Sequence, residues 1–538
     1  ELAVNMSELQ YFVPRSVVPV ASGPVFRLKD GDGVVYNGDH TTAGFPRIEL
    51  TCLKPATLWL VFDEFPGKDG LPDPVRFHSC VSACGWKLEK PGEYSLECFQ
   101  PYGLGCAHVF VESGEVEIRR FDVRTYVNPE TARASFKCSD PAFDKIFAAA
   151  ARSLSHNSVD IFIDCPGRER GAYFGDTVFT GRAGDVLLGD HAVERSLFEN
   201  YALAARFKDV PEGMIPMCYP ADVVLSEPHW IPNFGLWSVI ELAEYVDRSG
   251  DAGMAERFRP KAEGLLAWFR KSRNAEGLLE NLPGWVFIEW SKAAHFVKGI
   301  SYATNMTYAK FLDAFAAVYG RKDCAEEAER VREAIRAQSW NGEWFRDNAV
   351  RRADGTLEFR GDCTEACQHF ALFSGTATKE RYPMLWDRVI GELGPKRAKG
   401  AWPKIWPSNM LFGYSLRFGI LTDAGLAARA LDEVKACCLP MAERTGTLWE
   451  SVDVDSGYSA DHGFASQAAW VIVRNALGVV KLDRKSKTVV VSPSADLPLE
   501  WAEGTIPVSP TEAVTVKWSK AGGKPVVETS LPQGWGVE

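Results

Sequence analysis

Ser139-Asp140-Pro141-Ala142-Phe143-Asp144-Lys145-Ile146-Phe147-Ala148-Ala149-Ala150 marks the point at which this chain changes character. Ser139 or Asp140 can cap a helix, Pro141 suits its first position, and Phe143, Ile146, Phe147 and Ala150 recur at helical spacing. Similar segments follow to about residue 478: Phe234 to Val246, Met254 to Lys271, Tyr302 to Val318, Cys324 to Gln338 and Ala424 to Cys438. Breaks such as Arg248-Ser249-Gly250-Asp251 separate them. Roughly a dozen helices of about 10–18 residues are expected. There is no tight tetratricopeptide- or HEAT-like repeat. Many helices with long, irregular loops predict a mainly α fold, an (α/α) toroid whose loops build a cleft at one end. A plain helical solenoid would need more regular connections.

Upstream the texture is that of strands. Thr57 to Phe62, Cys106 to Val111 and Val116 to Ile118 are short, β-branched or aromatic runs, with turns expected at Pro91-Gly92-Glu93 and Ser113-Gly114-Glu115. They predict an N-terminal β-sandwich over residues 1–132, followed by the helical domain at 133–478. Strand texture returns in Thr488 to Val491, Val514 to Trp518 and Val526 to Glu528, giving a small C-terminal β-domain over 479–538.

At 538 residues the chain exceeds what one core usually spans. With 46% hydrophobic and 24% charged residues it reads as an ordinary globular protein. A net charge of −11 without Lys/Arg clusters argues against nucleic acid as a partner. No apolar run is long enough for a membrane span. The thirteen cysteines lack metal or redox spacing and read as mostly free thiols, with one disulfide involving Cys80 or Cys84 kept open. The chain starts at Glu1 and shows no signal-peptide pattern, which leaves a cytoplasmic, periplasmic or secreted location open. Self-association is left open too.

Two segments carry chemistry. Asp164-Cys165-Pro166-Gly167-Arg168-Glu169-Arg170-Gly171-Ala172-Tyr173-Phe174-Gly175-Asp176 packs three carboxylates and two guanidinium groups into a loop broken by Pro and Gly. Opposite charges this close push carboxyl pKa values apart, as acid/base work requires; an ion-paired loop that only pins helices is the bland alternative. The second is Gly446-Thr447-Leu448-Trp449-Glu450-Ser451 with Gly457-Tyr458-Ser459-Ala460-Asp461-His462-Gly463. There Trp449 can offer a sugar platform, Glu450 a base and His462 a hydroxyl partner. Two separated carboxylates in an aromatic-rich helical ring fit glycoside hydrolysis.

Asp164-Cys165-Pro166 with Arg168-Glu169-Arg170, Gly175-Asp176, Thr447-Leu448-Trp449-Glu450 and His462-Gly463 resembles the bacterial α-L-rhamnosidases of glycoside hydrolase family 78. The resemblance spans the helical domain and, more loosely, its flanks. It implies an (α/α)6 barrel, an inverting mechanism without metal or other cofactor, and exo-acting release of terminal α-linked L-rhamnose. Glu169 matches the general acid and Glu450 the general base. Asp164, Arg168 and Asp176 match residues that hold the sugar or tune the acid, and His462 a histidine near the subsite of the terminal sugar. Tyr173-Phe174 stands where the family usually has Trp, which alters a wall of the sugar pocket.

Three weaker clusters are also candidates to line the cleft. They are Trp230 in the Pro-rich loop 216–233, Trp285, Glu289 and Trp290 in Gly284 to Ser291, and Trp402 to Pro407. Glu289, between two Trp residues, is the reserve acid or a hydroxyl ligand. No serine-hydrolase elbow, zincin motif or phosphate loop occurs, and Asp453 to Gly457 lacks the closing Glu of a calcium loop. Two rivals stay open: the same fold acting on another deoxysugar or a uronic acid, and a non-catalytic carbohydrate-binding protein. A lyase on a similar toroid is a minor third.

Overall fold

The computed structural model describes residues 17–21, 25–77, 80–204, 207, 209–221 and 229–538. Asn5-Met6-Ser7, a short N-glycosylation pattern of the kind expected by chance, and Asp222 and Glu227-Pro228 of the Pro-rich loop, lie outside these. Six strands come first: β1 (Val17–Ala21), β2 (Phe26–Lys29), β3 (Gly33–Asp63), β4 (Ala83–Leu88), β5 (Gly92–Glu97) and β6 (Tyr102–Thr125). They belong to one hydrogen-bonded antiparallel sheet, in the order β1-β6-β3-β4, with β2 on β6 and β5 on β3. The sequence led us to expect separate short strands here. Instead Thr57 to Phe62 is the end of the long β3, and β6 runs through the expected turn at Ser113-Gly114-Glu115. The register shifts between Lys54 and Thr57 opposite this point, and Gly114 takes φ +96° with Pro55 O against its open side. An extra residue is absorbed as a bulge rather than a reversal. Residues from both halves of the sheet, among them Leu50, Leu60, Val109 and Phe121, share one core.

Twelve α-helices follow among the described residues: α1 (Pro141–His156), α2 (Phe174–Leu187), α3 (Ala192–Leu203), α4 (Pro232–Ser249), α5 (Ala252–Lys271), α6 (Tyr302–Tyr319), α7 (Lys322–Ser339), α8 (Glu365–Phe373), α9 (Pro383–Glu392), α10 (Ser415–Asp423), α11 (Ala427–Thr445) and α12 (Gln467–Asn475). Asp140 caps α1 by accepting from Ala142 N, with Pro141 at the first position. The segment read as Ala424 to Cys438 starts later, because Gly425 sits at φ +70° between α10 and α11.

The even-numbered helices pack in sequence: α2 on α4, α4 on α6, α6 on α8, α8 on α10, α10 on α12, and α12 back on α2. Composition explains who is inside. Every residue of α2 except Arg182 is buried, whereas α7 buries a stripe of Cys324, Glu327, Ala328, Val331 and Ile335 and leaves charges outward. Asn305, which opens the other such pattern (Asn305-Met306-Thr307), is fully buried on α6 and exchanges hydrogen bonds with the Leu279 backbone.

The C-terminal strands make a three-stranded sheet (Val479–Asp483, Thr488–Val491, Gly536–Val537) and a four-stranded one (Trp501–Pro507, Ala513–Ala521, Lys524–Ser530) whose fourth member is β7 (Ser135–Cys138). The residues just before α1 thus pair with Ala502–Thr505. All thirteen cysteines are free thiols; Cys98 donates to Cys84 Sγ at 3.1 Å, with no disulfide between them. Among the described residues no helix is long and apolar enough to cross a membrane.

Arg417, fully buried on α10, donates to both Glu433 oxygens (2.6 and 2.8 Å) on α11 and to the carbonyls of Val389 and Ile390 on α9. Removing one partner of a buried pair strands the other charge. Arg417→Ala should therefore cost about 3–5 kcal/mol, read as a lowered denaturant midpoint; a loss under about 1 kcal/mol would show that Arg429, whose Nε donates to Glu433 Oε1 at 2.5 Å, alone satisfies that carboxylate.

Candidate active site

The site forms where the even-numbered helices begin. The loops before α2, α4, α6, α10 and α12 converge there, and the helix N-termini favour negative charge. A cavity of about 350 Å³ opens between them. Its apolar wall comes from Met217, Ile231, Phe234, Phe287 and Leu411, and its polar wall from Asp164, Arg168, Glu169, Asp176, Glu450 and His462.

Asp164 organises the first loop. Its N–H donates to Gly171 O (2.9 Å), and its carboxylate accepts from Gly171 N (2.7 Å) and from the Cys165 thiol (2.9 Å). The turn so closed places Arg170 at φ +49° and holds Arg168 and Glu169 inward. The second loop is pinned as a short ladder, with Glu450 N donating to Ser459 O and His462 N to Leu448 O. Gly463 N donates to Asp164 O (2.7 Å), which fastens the two loops together.

Arg168 lies between the two acids. Its Nε is 2.9 Å from Glu169 Oε1, though not aligned as a hydrogen bond, and its Nη2 donates to Glu450 Oε2 at 3.1 Å. The carboxylates nevertheless titrate in opposite directions. Burial, with Asp164 adding repulsion, pushes Glu169 up to about 7, against the pull of Arg168 and of the Tyr173 hydroxyl, which donates to Glu169 Oε2. Burial acts on Glu450 as well, but Arg168, His462 and the Ser459 N–H together outweigh it and hold Glu450 below its ordinary value. His462 pairs with Asp176 (2.9 Å) and faces Glu450 at 3.9 Å. Burial alone would lower His462, yet Glu450 and Asp176 raise it to about 9, so it is an imidazolium at neutral pH.

The aromatic wall is Trp285 and Trp290, whose ring centroids are 5.9 Å apart, with Tyr458 5.8 Å from Trp290. Not all sequence candidates meet here. Glu289 is fully buried behind Trp290, where it accepts from Ser291 Oγ (2.5 Å), Gly413 N (3.0 Å) and Asn409 N (3.3 Å). Burial, opposed by the Ser291 hydrogen bond, raises it to about 8. Trp449 turns its Nε1 to Thr445 and takes Arg444 over its ring, and Trp230 packs against Gly284; neither borders the cavity. Trp402 and Trp406 bond Glu392 and Asp362, also away from it. Met217, Leu411 and Tyr458 border it without having been singled out; Met217 lies inside the Pro-rich loop 216–233 and Tyr458 inside the quoted Gly457 to Gly463 segment, whereas Leu411 left no signal.

Asp164, Cys165 and His462 bring three potential metal-ligand atoms within 4.8 Å of one another. Burial holds the Cys165 thiol far above its ordinary value, so it is a hydrogen-bond donor to Asp164, and His462 is protonated. Metal ligation needs the opposite protonation states.

Because the Tyr173 hydroxyl bond favours ionised Glu169, Tyr173→Phe should raise the pH at which Glu169 titrates. The carboxyl signal of ¹³C-labelled glutamate that Glu169→Gln deletes reports this directly; a shift to lower pH would mean that the hydroxyl opposes ionisation.

A family model described as the bacterial alpha-L-rhamnosidase 6 hairpin glycosidase domain matches residues 131–402, just over half of the chain. No curated protein sequence matches it. Among solved structures, the family 78 rhamnosidase of Bacillus sp. GL1 is similar at 20% identity and a TM-score of 0.79, over 98% of this chain and 54% of that one. A rhamnosidase from Klebsiella oxytoca with rhamnose bound is similar at 18% identity and a TM-score of 0.69, over 86% and 96%. The Streptomyces avermitilis α-L-rhamnosidase complexed with L-rhamnose gives 16% and 0.69, over 96% and 50%. The chain thus spans about half the length of the Bacillus and Streptomyces proteins. With the family model matching just over half of the chain, through α9 and including the loop that carries Glu169, the chain belongs to the bacterial α-L-rhamnosidase six-hairpin glycosidase family.

Proposed function

We propose that this protein is an exo-acting glycoside hydrolase that releases terminal α-linked L-rhamnose with inversion, Glu169 acting as general acid and Glu450 as general base. The observation that carries the reading is the placement of two carboxylates against one guanidinium, in surroundings that shift their ionisation in opposite directions. Glu169, raised to about 7, retains a proton to give to the glycosidic oxygen as the C1–O bond breaks. Glu450, held ionised, takes a proton from the water whose oxygen forms the new C1–O bond on the opposite face. Contact with a single guanidinium limits their facing oxygens to about 8 Å, a span compatible with an intervening water. Asp176 and His462 would hold sugar hydroxyls, and Trp285 and Trp290 would stack on the ring. The helix order, six inner and six outer neighbours, supports an (α/α)6 barrel, set between an N-terminal β-domain (1–132) and a C-terminal one (479–538) that borrows β7. The two similar proteins with rhamnose or L-rhamnose bound point to the same sugar.

Tyr173 favours a second reading. Its hydroxyl is committed to Glu169, so this wall differs from the Trp that the resemblance implies, and another α-L-deoxysugar could be preferred. A panel of aryl glycosides separates the two. On an aryl α-L-rhamnoside, the folded wild type should turn over while Glu169→Gln and Glu450→Gln each lose about 10²–10⁴-fold. NMR of the first-formed sugar should show the inverted anomer; retained configuration, or turnover that survives both substitutions, would overturn the assignment.

A further inference from the structure

The N-terminal sheet reaches both loops of the candidate site through its strand ends. On the side of the acid, Gly103 N donates to Pro166 O (3.2 Å), and a Cβ on Gly103 would come within 2.9 Å of the Pro166 ring. Arg170 donates to Pro101 O and to Gln100 Oε1, each at 3.1 Å. On the side of the base the contact is a carboxylate. Glu64, directly after β3 and 1% exposed, accepts from Ser459 Oγ (2.9 Å), Ala460 N (2.5 Å) and Arg76 Nη2 (3.1 Å). Arg76 donates in turn to Tyr458 O (2.6 Å).

Glu64 also touches the acid loop, since a Cβ on Gly167 would meet Glu64 Oε1 at 2.8 Å. The same Ser459 that binds Glu64 through its hydroxyl donates its N–H to Glu450 Oε2 at 3.0 Å. One residue therefore links the two carboxylates, one from the sheet and one from the helical ring. The backbone of Glu64 is fixed as well: Thr41 Oγ1 donates to its carbonyl (2.8 Å), and Gly105 leaves room for that carbonyl where a Cβ would sit 2.3 Å away.

We infer that Glu64 is a positioning residue for the candidate base: the N-terminal sheet, through this carboxylate, sets the 458–460 turn so that the Ser459 N–H meets Glu450. The inference rests on Glu450 being the base. Burial raises Glu64 to about 7, countered by Arg76 and the Ala460 N–H, while Asp461 and Asp63 oppose ionisation. A group held at this cost needs its donors, and a glutamine there would set an amide N–H₂ against one of them.

The test uses the full chain with Glu64→Gln and, as a milder variant, Ser459→Ala, on an aryl α-L-rhamnoside across pH. The Ser459 N–H bond helps keep Glu450 below its ordinary value, so loosening it raises the pKa of Glu450. The acidic limb of kcat/KM should move to higher pH, kcat should fall about tenfold in Glu64→Gln and less in Ser459→Ala, and the alkaline limb should stay in place. Amide hydrogen exchange across residues 450–462 should quicken in both variants. A kcat loss without movement of the acidic limb would make Glu64 merely structural and overturn the inference, as would unchanged exchange. If Glu64→Gln does not fold, the limb and the exchange in Ser459→Ala decide in the same way. A folded wild type without turnover would sink the functional reading instead, and exchange alone would then decide whether Glu64 sets the turn.

Discussion

Arg168 brings a positive charge into the largely buried junction of the two loops of the site, which are arranged to meet it. A buried cation is tolerated only with counter-charge close by. Glu450 supplies an aligned hydrogen bond, Glu169 a close but unaligned contact, and Phe77 presents its ring face at 5.6 Å. One cation does not make two equal anions. Glu450 also receives the Ser459 N–H and faces protonated His462, whereas Glu169 faces Asp164, and burial then decides its state. The asymmetry comes from the aligned arginine bond that only Glu450 receives, together with the other neighbours of each acid.

Much of the helical region was legible because its apolar spacing is strong and its caps are local. Asp140-Pro141 opens α1 as expected, and the segments read at Phe234, Met254, Tyr302 and Cys324 each fall within a helix. The sheet was less legible. Strand length in β3 and β6 depends on which partner lies opposite, and Gly114 looks like a turn until β3 supplies one. The polar loop at 164–176 and the segment around Glu450 stood out by charge density, and they meet. Trp449 and Glu289 stood out on the same grounds, and they do not border the cavity. Sequence shows which side chains could serve a site but not which way a loop turns them. Glu64 left no signal, since the partners that tie it to the site, Ser459 and Ala460, lie almost four hundred residues away.

Glu289 has a structural explanation of its own. Its carboxylate receives two backbone donors from the 409–413 segment, which carries Phe412 at φ +64° and ψ −62°. Such a conformation persists only where the surroundings over-determine it. Phe412 is completely buried and stacks on Trp237 at 5.0 Å, with Phe179, Phe234, Phe287 and Phe370 around it. Polar anchoring from one side and aromatic packing from the other keep Leu411 turned into the cavity wall.

The pairing of β7 with Trp501–Pro507 bears on how the molecule is made. Glu500 N donates to Ser139 Oγ across 361 residues of chain, and the strand before α1 finds its ladder partner only there. A ribosome delivers residue 138 long before residue 502, so β7 leaves the exit tunnel as a strand without a neighbour. The first helical hairpin can form while synthesis continues, but its anchoring must wait for the last sheet, a contact of very high sequence separation and hence slow to close. A premature stop before that sheet would leave an unpaired strand on a nearly complete helical body, open to pairing with another chain.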